Sequence, residues 1–386
     1  AKISKAIALE PKKILFITRN LPPLVGGMER LHFQILKHLS QEYELAVASP
    51  SESLSEFSAH KKVGFKNTSK ISFIADSLFK CWQLSKTFQP DLVFSASGAT
   101  ILAARLVAQK FKAPLICQLH GLDIVAPSIL YQGLFLPAIR QANSIISISH
   151  HTTQLAIEKN IAASKIHLLP PGVDLPSQTN KLTASPFGNE RFVLLSVGRL
   201  TPRKGLLEFI QNCMPGLVQK HPELLLVIVG SDAEQALNPQ NGITEQIKRL
   251  SKSLNLEQHI ALKGRLSEDE LTSTYQHSDL FIFPTLNLAG DAEGFGMVAI
   301  EAAAHGLPVM AFANGGVVDA VSHRQSGYLI HDENYRELST RISEVITGEL
   351  KFDKVACQAF ARQFIWPEYY KKLDKIIATT LANSSQ

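Results

Sequence analysis

The stretch FVLLSVGRLTPRKG, residues 192–205, runs from a nearly unbroken apolar segment through a glycine into a basic turn. An apolar run without polar alternation is how a parallel strand buried on both faces reads. Downstream, LLLVIVG (224–230), HIALKG (259–264), DLFIFPT (279–285), LPVMAF (307–312) and GYLI (327–330) repeat the pattern, with helical spacing between them. Upstream, it is carried by KILFIT (13–18), ELAVA (44–48), DLVFSA (91–96), PLICQL (114–119), SIISIS (144–149) and KIHLLP (165–170). Met28, Leu31, Ile35 and Leu39 mark one face of an intervening helix. Strands alternating with helices predict two doubly wound α/β domains, whose ligands lie beyond the C-terminal strand ends. Segment 171–191, rich in Pro, Ser and Gly, reads as the linker. The expected domains are 1–175 and 190–364, followed by a helical segment 365–386 that includes Trp366, Tyr369, Leu373, Ile376 and Ile377.

Composition agrees with two domains. The 386 residues are 45% hydrophobic and 19% charged, which excludes a disordered chain, and a single core rarely exceeds ~250–300 residues. No apolar run approaches the ~18 residues of a membrane span. The start, AKISKAIALEPKK, shows no secretory h-region or cleavage site. Cys81, Cys117, Cys213 and Cys357 lack CxxC spacing, so neither a zinc site nor a disulfide framework is expected, and a cytoplasmic setting fits. The net charge of +5 is uneven. Residues 1–185 hold 20 Lys+Arg against 11 Asp+Glu, whereas 186–386 hold 19 against 23. A basic first half points to a polyanionic surface, either nucleic acid or anionic lipid.

Four motifs carry chemistry. In SVGRLTPRKG (196–205), Thr201 and Pro202 read as N-cap and first residue of a helix. Arg199, Arg203 and Lys204 would then crowd a helix N-terminus, which makes sense if an anion sits there; the alternative is a solvated basic loop. In EGFGMVAIEAAAHGLPV (293–309), a Gly294-Phe295-Gly296 turn opens a helix, with Glu293 just before it and Glu301 within its first two turns. A carboxylate repels phosphate, so these two suit sugar or ribose hydroxyls, unless they are ordinary surface carboxylates. PPLVGGMER (22–30) joins the first strand to the first helix through Gly26-Gly27 and carries neither GxGxxG nor a P-loop. QLHGLD (118–123) sets His120 at a strand's C-terminal end. There is no D-x-D triplet for a metal–diphosphate complex.

Together these pieces resemble the retaining glycosyltransferases of family 4, the group 1 glycosyltransferases, over nearly the whole chain. Glu293 and Glu301 match that family's E-x7-E motif in an EGFG setting, SVGRLTPRKG its donor diphosphate loop, and GGMER its N-terminal glycine loop. PPGVD (170–174) and NGGVVDAV (314–321) also correspond, with Asp319 standing where many relatives have Glu.

The resemblance implies a GT-B fold, two Rossmann-like domains facing an interdomain cleft. The first domain would bind the acceptor and the second the nucleotide sugar, and the last helix would cross back to the first. It implies Arg199 and Lys204 on the donor diphosphate and Glu301 on the ribose. Glu293, with the backbone of Phe295 and Gly296, would hold the transferred sugar, and His120 would sit beside the reacting carbon. Gly27 would approach the phosphates, and Gly264 and Arg265 would flank the base. No metal or other cofactor is expected, since fixed cations would stabilise the leaving diphosphate. The expected partners are a nucleotide-sugar donor and a glycolipid, lipid-linked or other glycan acceptor.

Residues 61–86 carry Lys61, Lys62, Lys66, Lys70, Lys80 and Lys86 with Phe65, Phe73, Phe79 and Trp82 interleaved. Such a stretch suits an anionic membrane surface, hence a peripheral position on the cytoplasmic leaflet; the alternative is a core helix with solvated lysines. No nucleic-acid motif accompanies the charge. Competing functions are a sugar-nucleotide epimerase on the same scaffold and a non-catalytic nucleotide-sugar-binding subunit.

Overall fold

The computed structural model describes residues 11–66, 69–125, 128–176, 185–188, 190–232, 242–288, 291 and 293–384. The chain forms two compact units, one of residues 1–148, 153–169 and 370–386, the other of residues 149–152 and 170–369. Residues 177–184 and 189 of the expected linker lie outside the described residues.

The first unit holds a seven-stranded parallel sheet: β1 (Lys13–Ile17), β2 (Glu44–Pro50), β3 (Lys61–Phe65), β4 (Leu92–Ser95), β5 (Leu115–Leu119), β6 (Ser144–Ser147) and β7 (Ile166–Leu168). Its order is β3-β2-β1-β4-β5-β6-β7. The order reverses between β1 and β4, so the loops leaving these two strands open a crevice at their C-terminal ends. β1, β2, β4 and β5 are buried along almost their whole length, as their unbroken apolar runs require.

Strand β3 has no counterpart among the expected strands. Its sequence, KKVGF, lacks an apolar run because it lies at the sheet edge with a single neighbour. Phe65 at its end and Phe73 in the next helix are buried in the core, with ring centroids 5.4 Å apart. Two of the four aromatics expected on a membrane-facing stretch are therefore core residues. Phe79 is 62% exposed, and Lys110 Nζ lies 4.1 Å above the Trp82 ring.

The second unit holds β8 (Phe192–Val197), β9 (Leu224–Val229), β10 (Ile260–Gly264), β11 (Leu280–Phe283), β12 (Val309–Phe312) and β13 (Gly327–Ile330). They form a parallel sheet of order β10-β9-β8-β11-β12-β13. Here the reversal falls between β8 and β11, which directs the loops after those strands to one crevice. Two doubly wound parallel sheets are the fold expected from the sequence. A helix spans Trp366–Asn383, and its later part packs within the first unit. There His38 Nε2 meets Asp374 at 2.9 Å, Tyr370 OH donates to Gln34 at 2.9 Å, and the Ser144 and Thr380 hydroxyls are 2.7 Å apart.

Candidate active site

In the second unit, the chain leaves β8 at Gly198 and turns through Leu200, whose N–H donates to Ser231 O. The helix expected from Thr201 does not start there. Pro202–Lys204 form one 3₁₀ turn, Thr201 makes no side-chain cap, and the α-helix begins at Leu206. Gly205 is the reason. It takes φ +64°, and a Cβ there would stand 2.0 Å from Pro284 O. Only glycine combines left-handed backbone with that approach, so the basic pair is held against the loop leaving β11 instead of lying along a helix.

That loop supplies the partner. Lys204 Nζ donates to Glu293 Oε2 at 2.8 Å, and Arg203 Nη1 donates to the same oxygen. Arg203 Nε also lies 2.9 Å from Asp291 Oδ1, an ion-pair contact without hydrogen-bond alignment. Lys204 further sits 4.8 Å above the Phe283 ring, a cation–π contact. Burial alone would push the Glu293 carboxyl up, but the Lys204 and Arg203 charges outweigh it and hold it at about 2. Burial lowers the Lys204 ammonium pKa, Glu293 opposes that shift, and the neighbouring Arg203 and Arg199 charges reinforce it. Arg203 and Lys204 thus share Glu293, Asp291 faces Arg203 from another side, and Arg199 nearby is the cation beyond that balance.

Glu293, for which the sequence suggests hydroxyl partners, has its carboxylate held by two cations. Its backbone is fixed by the NGG loop after β12, where Gly316 N–H donates to Glu293 O at 2.8 Å. A Cβ on Gly316 would lie 2.0 Å from Gly294 O. Phe295 is buried with its ring 5.8 Å from that of Phe364. Gly296, at φ +93°, caps the helix Met297–Ala304. One turn in, Glu301 accepts from Tyr275 OH at 3.2 Å, and Tyr275 stacks on His305 at 4.7 Å. Gly264 accepts from Gly230 N–H through its carbonyl at 2.7 Å, and Arg265 Nε donates to Ser231 Oγ at 3.0 Å. Arg199 is exposed. Arg203, which the sequence marks only as one of three cations in the loop, with no separate role, is the guanidinium that meets Glu293.

In the first unit, Gly27 opens the helix Gly27–Glu42 directly after the β1 loop. His120 follows β5 and is 7% exposed. Its Nε2 lies 2.8 Å from Ala96 O and 3.1 Å from Nε2 of His32, a buried residue that the sequence reading passed over. Among the described residues no group of three or more His, Cys, Asp or Glu side chains could hold a metal ion.

Residues 25–176 match the family model described as Glycosyltransferase Family 4, and residues 177–362 that described as Glycosyl transferases group 1. The chain belongs to the group 1 glycosyltransferases. This glycosyltransferase is 26% identical to an uncharacterized glycosyltransferase of Haemophilus influenzae, covering 85% of this chain and 88% of that one. It is 21% identical to a GDP-mannose-dependent alpha-(1-6)-phosphatidylinositol monomannoside mannosyltransferase of Mycobacterium tuberculosis, over 92% and 94% of the two chains. Among solved structures, Anabaena HepE in complex with UDP superposes with a TM-score of 0.76 at 22% identity, covering 95% and 100%. The glycosyltransferase therefore has the GT-B fold.

Proposed function

We propose that this glycosyltransferase moves a sugar, with retained configuration and without a metal, from a nucleotide-diphosphate donor to a glycolipid, lipid-linked or other glycan acceptor in envelope biosynthesis. The observation that carries the reading is the convergence of Arg203 and Lys204 on Glu293 at the point where the second sheet reverses its strand order.

Departure of the diphosphate builds charge on its β-phosphate. Lys204, already desolvated and aligned, would meet that charge with little reorganisation, an effect worth ~3–4 kcal/mol per donor in measured cases, and the exposed Arg199 beside it would add a screened contribution. Glu293 keeps the cations charged and aimed while the donor is away. With the backbone N–H groups of Phe295 and Gly296, it would hold the sugar once the diphosphate shares the cations. Glu301 would take ribose hydroxyls, Gly264 and Arg265 would flank the base, and Gly27 would bring backbone to the phosphates. His120 would hold the sugar near the reacting carbon. The acceptor hydroxyl attacks the anomeric carbon on the face the diphosphate leaves and passes its proton to the departing phosphate oxygen. A glycolipid acceptor is favoured by the mycobacterial relative, a phosphatidylinositol monomannoside mannosyltransferase.

No described helix is long and apolar enough to cross a membrane. Contact with an anionic cytoplasmic leaflet would rest on Phe79 with Lys66, Lys80 and Lys86, because Lys61 Nζ is spent on Thr87 O and Lys62 Nζ on Leu54 O and Phe57 O. Lys70 has no described side chain.

The test is a thermal-shift screen of UDP-, GDP-, ADP- and CMP-sugars, followed by transfer assays in EDTA with NMR assignment of the product anomer. Stabilisation by one donor and transfer with the donor's anomeric configuration are expected. Inverted product, or activity abolished by EDTA and restored by a divalent ion, would overturn the corresponding part. No stabilisation by any donor would overturn the whole.

A further inference from the structure

The imidazoles of His32 and His120 meet in the first unit with ring centroids 5.1 Å apart and planes at 65°. His32 is fully buried. Burial pushes its pKa well below the usual value and the adjacent His120 adds to this, while the carbonyls of Asn20 and Ala96 pull the other way without prevailing. His32 is therefore neutral, with one N–H and one lone pair.

The neighbours decide which nitrogen holds the proton. His32 Nδ1 lies 3.0 Å from Asn20 O, which can only accept, and 2.9 Å from Thr18 Oγ1. Nδ1 thus carries the proton and Nε2 the lone pair. That lone pair faces His120 Nε2 at 3.1 Å, so His120 must supply the hydrogen there. The same His120 N–H points to Ala96 O at 2.8 Å, a second group that can only accept. Moving the His32 proton to Nε2 would still give Ala96 O an N–H, but it would set the Nδ1 lone pair against Asn20 O, which is costly in a buried site. His120 Nδ1 makes no hydrogen bond among the described residues.

We propose that His32 is a positioning residue that, with Ala96 O, holds the His120 proton on Nε2, so that Nδ1 is presented as an acceptor to a ligand hydroxyl. The inference rests on the reading of His120 under Proposed function and deepens it. The group that His120 meets must donate a hydrogen, as an unsubstituted sugar hydroxyl does and a deoxy, fluoro or O-methyl position does not. Such a site reads the presence of a hydroxyl, because the acceptor is left unpaired when the hydroxyl is missing.

The experiment is long-range ¹H–¹⁵N correlation NMR on the full chain with ¹⁵N-labelled histidines, with His120→Gln and His32→Gln used to assign both rings. The expected spectrum has a protonated Nε2 and bare Nδ1 for His120, and the reverse for His32. A bare Nε2 on His120, or a second proton on either ring, overturns the proposal. His32→Leu should lose the single-tautomer pattern of His120. His32→Gln, whose side-chain oxygen can accept at the same place, should keep it. Should His32→Leu fail to fold, the wild-type and His32→Gln spectra decide. An unchanged His120 pattern in folded His32→Leu shows that Ala96 O suffices alone, and the role of His32 falls. None of these spectra needs a donor or turnover, so failed transfer would sink the proposed function while leaving the tautomer result to stand or fall separately.

Discussion

Lys204 Nζ donates to Glu293 Oε2 at 2.8 Å across 89 residues of sequence, and Arg203 shares the same carboxylate oxygen. One oxygen therefore holds together the loops leaving β8 and β11, the strands that flank the reversal of strand order.

Glu293→Gln keeps the shape and removes the charge, leaving Arg203 and Lys204 to repel each other. Removing one partner of a buried ion pair typically costs about 3–5 kcal/mol, so denaturant unfolding should show a loss of that order. A nucleoside diphosphate would restore the missing negative charge and should raise the melting temperature of this variant more than that of the wild type. An equal rise in both would show that the diphosphate does not meet these cations.

Lys204→Ala and Arg199→Ala separate the two cations assigned to the donor. Lys204 is desolvated and held, whereas Arg199 is exposed and pays solvent screening. Transfer should fall by about 10²–10³ for Lys204→Ala, the loss of one preorganised charge-stabilising donor, and by less for Arg199→Ala, with circular dichroism unchanged in both. Steady-state kinetics with matched donor concentrations measures this.

Acid should unfold the second unit through Glu293. Its carboxyl is held at about 2, below the ordinary 4.5. A depressed folded pKa gives stability that is present above the unfolded value and lost as pH falls through the folded one. Between about pH 4.5 and pH 2 the wild type should therefore lose a few kcal/mol that Glu293→Gln has already lost. Urea midpoints across that range should converge for the two proteins.

Gly205→Ala and Gly264→Ala share a left-handed backbone but differ in surroundings. The first adds a Cβ 2.0 Å from Pro284 O, while the second meets nothing within 4 Å. Gly264→Ala should cost only the ~1–2 kcal/mol of left-handed strain. Gly205→Ala should cost more and also weaken donor binding, since it displaces the turn carrying Lys204. Paired unfolding and nucleotide titrations distinguish them.

Most strands are legible because parallel strands buried on both faces need unbroken apolar runs, as in LLLVIVG (224–230). Strand β3 is not, since an edge strand tolerates Lys61 and Lys62, and the same lysines made Phe65 and Phe73 look like surface aromatics when both are core. Thr201-Pro202 carries the local signature of a helix start, but the contact between Gly205 and Pro284 overrides it. His32 sits among Leu31 and Ile35 on an apolar helix face, where nothing in the local pattern separates a core histidine from one bonded to His120.

From residue order alone came the strand and helix types, the two doubly wound sheets and the loops that carry charge, because periodicity and turn chemistry act over a few residues. The tertiary structure alone decided that Arg203 joins Lys204 on Glu293 and that the rings of His32 and His120 meet Nε2 to Nε2. Those outcomes depend on groups tens of residues apart being brought within 3 Å or so in a desolvated site, where each donor must find an acceptor.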